Sequence, residues 1–241
     1  MTSDVVMDFL RTHWINLLAL GWFLLCFRGY MTYARVKGYT TPCLASVMHL
    51  YRLEWMRHML MRENRVPDTT AIANLERTVA FFASTTILIL AGLMTLLNVS
   101  DEAMNIVQDI PYAYPLTAGE WEIKLLLLVL LFVYSFFKFT WSLRQYGFAS
   151  VMIGGAPLPS ESLNEQRLQA HAARIADMTS LAANNFNIGL RTYYFCVAVL
   201  GWFINPWLFM LLSGTVVIVL YRREFVSLAL QTMMMSTEVE R

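Results

Sequence analysis

Four stretches of this chain are apolar for long enough to cross a bilayer, and that feature excludes most of what a chain of this length can fold into. They lie near the N-terminus, at Thr78 to Asn98, at Trp121 to Trp141 and at Thr192 to Tyr221. Crossing roughly 30 Å of hydrocarbon takes about 20 helical residues. Open strands would leave backbone N–H and C=O groups unpaired in lipid, so the spans must be helices. The composition agrees, with 57% of 241 residues hydrophobic and only 15% charged, a balance that ordinary soluble domains do not show. The expected fold is all-α, a polytopic transmembrane helical bundle forming a single membrane domain over residues 1–241, without internal repeats.

Orientation follows from the basic residues. Arg28, Arg35, Lys37, Arg52, Arg57, Arg62, Arg65 and Arg77 lie between the first and second apolar runs. The connection "VSDEAMNIVQDIPYAYPLTAGE" between the second and third has neither Lys nor Arg. Positive charge is retained on the cytoplasmic side. The Arg-rich loop is therefore expected inside and the acidic Asp101 to Glu120 loop outside, with a periplasmic N-terminus and a cytoplasmic C-terminus in a bacterial inner membrane. Asp4 and Asp8 stand where a signal peptide would be basic, and no small-residue cleavage site follows, so the first run is expected to stay as an anchor.

The last apolar run is too long for one crossing. Thr192 to Tyr221 as a single helix would measure about 45 Å and would carry Arg222 and Arg223 to the outer side, against the charge rule. A turn at Asn205 and Pro206 resolves both conflicts. Proline removes a helical hydrogen bond and disfavours helix in the residue before it, and asparagine is a common turn residue. The run then becomes a hairpin, giving five helices near 6–28, 76–98, 121–143, 186–204 and 207–226. A single kinked and tilted span is the alternative.

Two further helices are expected on the cytoplasmic side. "CLASVMHLYRLEWMRHMLMR" places Leu44, Met48, Tyr51, Trp55 and Met59 on one stripe and is too charged to span, so an interfacial helix is expected over 43–63. Arg52, Arg57 and Arg62 are its candidate contacts to anionic lipid headgroups. In "GGAPLPSESLNE" a Gly and Pro break precedes Ser162, with Glu165 three residues later, the pattern of a capping box. A helix over 163–185 should start there and run into the next span near Asn185.

Three segments carry a family resemblance: "ANLERTVAFFASTTILILAGL", "FKFTWSLRQYGFASVMIGG" and "NNFNIGLRTYYF", the last followed by the aromatic-flanked proline. Together they resemble the domain-of-unknown-function 599 family of bacterial and plant membrane proteins, from about Gly21 to Glu224. The resemblance implies an integral membrane protein and brings no activity and no catalytic residues with it.

Polar groups at membrane depth are costly and mark candidate sites. Asn74, Glu76, Arg77, Lys138, Arg144, Asn184, Asn185, Asn187 and Arg191 all fall near the inner boundary, where they could gather as one polar cluster at a cytoplasmic mouth. The competing explanation is that Lys138 and the arginines reach headgroups while the asparagines bond between helices. No catalytic, metal or cofactor site is expected. The four histidines lack metal-ligand spacing, the three cysteines lack a CxxC pair, Gly154 to Pro157 lacks a phosphate-loop Lys, and no nucleophile elbow occurs. The near-even balance of 18 basic and 17 acidic residues argues against nucleic acid. The expectation is a non-enzymatic homo-oligomer forming a small-solute or ion pathway, with membrane lipids as partners. A membrane scaffold or anionic-lipid-binding protein is the alternative, and a lipid-active enzyme using Glu76 or Glu54 comes third.

Overall fold

The first three apolar runs of the sequence each become the lipid-depth part of a longer helix, and the fourth is divided between two. The computed structural model describes residues 2–98, 100–109, 111, 114–115, 117–161 and 164–238. The helices are α1 (Thr2–Thr40), α2 (Leu44–Leu60), α3 (Val66–Asn98), α4 (Ser100–Gln108), α5 (Ala118–Gly154), α6 (Glu165–Ile204), α7 (Pro206–Phe225) and α8 (Leu228–Glu238). Four of them are long and apolar enough to cross a membrane, over His13–Gly38, Val66–Leu97, Ala118–Gly154 and Glu165–Ile204. Leu25, Leu88, Phe137 and Val197 stand exposed on them, and Leu211 on α7, a surface that water would not tolerate and lipid does. The protein is an all-helical, multi-pass membrane protein.

The break at Asn205 makes the hairpin. Asn205 is extended (φ −156°, ψ 134°) and serves at once as the C-cap of α6 and the N-cap of α7. Its N–H donates to the Gly201 carbonyl at 3.0 Å, and its side-chain oxygen accepts from the Trp207 N–H at 2.9 Å. Pro206 takes the first helical position, where a missing N–H costs nothing. The two helices then run back along each other: Trp202 stacks on Phe209 at 4.8 Å, and farther down Arg223 donates to the Tyr194 hydroxyl at 2.7 Å.

Other boundaries depart from the sequence expectation. The expected 163–185 helix and the 186–204 span are one continuous helix of 40 residues, about 60 Å long. It begins at Glu165 with Asn164 as its N-cap, accepting from Gln166 N–H at 3.1 Å; Ser162, the expected cap, lies outside the described residues. α3 starts at Val66 rather than 76, α1 continues to Thr40 rather than 28, and α5 runs to Gly154 rather than 143. Apolar windows mark only the part of a helix that meets lipid, and polar residues continue the same backbone ladder beyond it. α4 and α8 were not anticipated.

These surplus lengths all lie at the end away from the hairpin turn, where those of α3, α5 and α6 join α2 in a second core. In the first, Phe23, Leu125, Phe132, Phe195, Val199 and Phe209 pack between α1, α5, α6 and α7. In the second, Met56, Met59, Ile72, Phe139, Tyr146, Ile153 and Ile175 join α2, α3, α5 and α6. α2 therefore packs on α6, and its buried residues are Val47, Met56, Met59 and Leu60, a face turned away from most of the expected stripe. Arg65 locks this region by donating to the carbonyls of Ala156 at 2.7 Å and of Pro157, just past the end of α5.

α5 and α6 form the longest contact in the molecule, and it depends on a glycine. A Cβ on Gly189 would stand 2.4 Å from the ring of Phe139, which is fully buried. Helices that pair in lipid without a hydrophobic driving force need such close approach. Gly189→Val should therefore lower thermal stability in detergent, by about 1–3 kcal/mol of overpacking. Gly147→Ala, with open space around it, should leave stability unchanged or raise it by up to about 1 kcal/mol. Equal melting of both variants and the parent would refute the close-packing argument.

Candidate functional site

The hairpin end holds a chamber built from three helices. α5 opens on a capping box: the Thr117 hydroxyl accepts from Glu120 N–H at 3.3 Å, and Thr117 N–H donates to Glu120 Oε2 at 3.1 Å. The other Glu120 oxygen turns toward α1, where Asn16 Nδ2 donates to it at 2.6 Å and His13 Nδ1 lies 3.0 Å away. The Asn16 carbonyl in turn accepts from Trp202 Nε1 of α6 at 2.9 Å. One turn below Glu120, Lys124 is only 2% exposed. Its ammonium donates to the Trp202 carbonyl at 3.0 Å and sits 5.4 Å from that indole ring. These groups, with Leu17, Leu20 and Ile123, line a cavity of about 220 Å3.

The electrostatics of the two charges differ. Both Glu120 oxygens are already satisfied, and the carboxylate lies in the first turn of α5, where the helix dipole favours negative charge. Lys124 has three donors and spends one on a free carbonyl at the end of α6. No carboxylate lies within ion-pair distance of it among the described residues. A buried cation with unspent donors beside a cavity is the chemistry of a seat for an acceptor.

The opposite end carries the residues expected from sequence, though not as one group. Arg191 Nη2 lies 2.5 Å from the Glu224 carboxylate, with both side chains mostly buried, and the Tyr30 hydroxyl donates to Glu224 at 3.0 Å. Separately, Lys138 donates to Asn185 at 3.3 Å, and Asn185 donates to Gln145 at 2.8 Å. Asn74 and Arg77 face outward together at 3.5 Å. Arg144, Asn184 and Asn187 are exposed, and Glu76 is half-buried. The nine residues thus divide among two interhelical locks and a surface, because positions near one boundary still point in different directions around three helices. Asn205 and Pro206 form the hairpin turn itself.

Of the arginines expected at lipid headgroups, Arg57 is exposed. Arg62 donates to the buried Asp68 at 3.0 Å. Arg52 points inward, 3.5 Å from the Ser180 hydroxyl, where burial lowers its pKa from the ordinary arginine value. Sequence reasoning missed His13, Asn16, Glu120, Lys124 and Trp202 as a group, as well as Tyr30, Gln145 and Glu224. The available signal was spacing: His13 and Asn16 three apart, Glu120 and Lys124 four apart, each pair on one helix face at the edge of an apolar run.

The family model described as a protein of unknown function, DUF599, matches residues 18–229. No curated protein and no solved structure matches the chain.

The Arg191–Glu224 lock makes a measurable prediction. Glu224→Ala strands a guanidinium between helices and should cost about 3–5 kcal/mol, and joint replacement with Arg191→Leu should recover most of that loss. A double-mutant cycle by thermal melting in detergent decides it. Additive losses would mean that the two side chains do not depend on each other.

Proposed function

The chain belongs to the DUF599 family, and from that premise we propose that it is a multi-pass protein of the bacterial cytoplasmic membrane that binds and passes a small solute. The hairpin end is its periplasmic face, with the N-terminus outside and the C-terminus inside. The observation that carries this reading is the chamber in which Lys124, 2% exposed, keeps donors free beside a cavity of about 220 Å3. Buried ionisable groups at membrane depth are expensive and mark ligand pathways by default. In this reading Lys124 and Glu120 hold charge and helix ends rather than break bonds, so the protein is a carrier or channel and not an enzyme.

Between the chamber and the Arg191–Glu224 pair lies an aromatic plug. Phe23 meets Phe195 at 5.9 Å and Phe209 at 5.2 Å, and Phe27 meets Phe195 at 5.2 Å. A path inside one copy is thus closed, which supports a homo-oligomer in which solute moves between copies. Asn184 and Asn187, exposed three residues apart on one face of α6, supply a polar wall for it. Gly92 and Gly214, with open space above their Cα atoms, allow close contact between copies.

A second reading, a scaffold that binds anionic lipid from the cytoplasmic leaflet, is favoured by a separate groove. Arg65, Arg167, His171 and Arg174 line it against the single acid Glu161, in a volume of about 860 Å3.

Proteoliposomes containing the full chain and loaded with labelled acetate or chloride should leak faster than empty ones. Lys124→Met should abolish the excess, and Arg57→Ala should preserve it. Equal rates with and without protein for both solutes would overturn the transport reading, and loss of bound phosphatidylglycerol in an Arg167→Ala, Arg174→Ala protein would favour the scaffold. In intact spheroplasts, Thr117→Cys should react with an impermeant maleimide while Arg57→Cys reacts only after permeabilisation. The reverse pattern would invert the topology.

A further inference from the structure

The chamber has a shape that selects among solutes. Its volume, about 220 Å3, is far above the ~10–15 Å3 one water needs yet below the ~300 Å3 at which pockets begin to enclose a drug-sized ligand. It suits the head of a molecule whose remainder stays outside. The polar seat is at the back, on Lys124 and the Trp202 carbonyl. The mouth is apolar: Leu17 and Ile123, both lining residues, are 43% and 60% exposed. A mouth of exposed leucine and isoleucine on two membrane-spanning helices opens toward acyl chains, not toward water.

The helix arrangement explains why the opening is lateral. α1 packs along α7 rather than along α5. At the chamber, α1 and α5 are joined through the bonds of His13 and Asn16 to Glu120. Farther along, Phe27 approaches Tyr134 at 6.4 Å. From Leu17 to Phe27 is ten residues, about 15 Å along the helix. The chamber opens between α1 and α5 at Leu17, Leu20 and Ile123.

Charge fixes the sign of the head. The carboxylate of Glu120 is met by His13, Asn16 and the Thr117 amide, so it offers no free seat to a cation. The ammonium of Lys124 has donors left and, among the described residues, no carboxylate within ion-pair distance, Glu120 acting on it only across one helix turn. Resting on the binding role proposed for this chamber, we infer that its ligand is an anionic amphiphile, a long-chain monocarboxylate. It enters sideways between α1 and α5 and seats its carboxylate on Lys124. A single carboxylate is enough to meet the one ammonium that Lys124 offers.

The test uses the full chain in nanodiscs of phosphatidylcholine and three probes: a sixteen-carbon fatty acid, the alcohol of the same chain length, and butyrate. The fatty acid should bind about 10- to 100-fold more tightly than the alcohol, the range expected for a charge-assisted hydrogen bond. Lys124→Met should erase that difference, and Lys124→Arg should keep it. Since Lys124 also caps the end of α6, a fold-neutral variant is needed. Ile123→Trp, at an exposed position, should block the mouth and weaken the fatty acid while leaving the melting temperature unchanged. Equal binding of acid and alcohol, or a fatty acid indifferent to Ile123→Trp, would overturn the inference. Lys124-dependent binding of butyrate alone would sink the amphiphile and leave the chamber as a solute site. Displacement of the fatty acid by phosphatidylglycerol, itself bound in a Lys124-dependent way, would reassign the head to a phospholipid. No Lys124-dependent binding of any probe to folded protein would remove both readings.

Discussion

A membrane-spanning chain cannot leave backbone groups unpaired where lipid surrounds them, and the turn at Asn205 satisfies that constraint with very few atoms. One side chain and one backbone N–H close both helix ends, and Pro206 stands where no donor is needed. Because the turn is that tight, α7 returns directly along α6. Glu224 is thereby brought to Arg191, and Phe209 to Trp202. The indole held by that stacking then bonds Asn16, and its carbonyl receives Lys124. The chamber and the inner lock both descend from one reversal of the chain.

Polarity in the bundle is confined to its two ends. Among the described residues, the buried polar side chains between them, such as Thr86, Ser135, Thr192 and Ser213, are small. The hydroxyls of Ser135, Thr192 and Ser213 are returned to their own helices: Ser135 to Leu131, Thr192 to Ile188 and Ser213 to Phe209. Thr86 also meets the Tyr193 hydroxyl at 2.5 Å. Charged side chains are held where several helices converge, and each convergence joins residues far apart in the chain. The energetic reason is general: a charge in low dielectric survives only with partners, and partners on several helices hold it more firmly than neighbours on one.

Much of the architecture was legible in the residues themselves. The apolar runs gave the spans, the excess length of Thr192 to Tyr221 with its trailing arginines gave the hairpin, and the periodicity of Leu44 to Leu60 gave α2. Helix ends were less legible, because a window of hydropathy stops at the membrane while the helix does not. The pairing of polar groups was least legible. Glu120 lies more than a hundred residues from His13, and nothing local says that α1 and the start of α5 share an end. Lys138, Asn185 and Arg191 were recognised as unusual from their depth alone, but depth does not tell which way around a helix a side chain points. The Tyr30 and Glu224 partners of Arg191 looked ordinary at a span boundary.

α6 is unbroken from Glu165 to Ile204, and its tightest contact is at Gly189 against Phe139. If α6 pivots there as a rigid rod, its two arms are unequal. The arm toward Trp202 is 13 residues, about 20 Å, and the arm toward Glu165 is 24 residues, about 36 Å. A small rotation there would move the Glu165 tip almost twice as far as the chamber wall. Force applied at the Glu165 end would therefore arrive at Trp202 with mechanical advantage, and a slight opening around Lys124 would become a larger swing at the far end of α6.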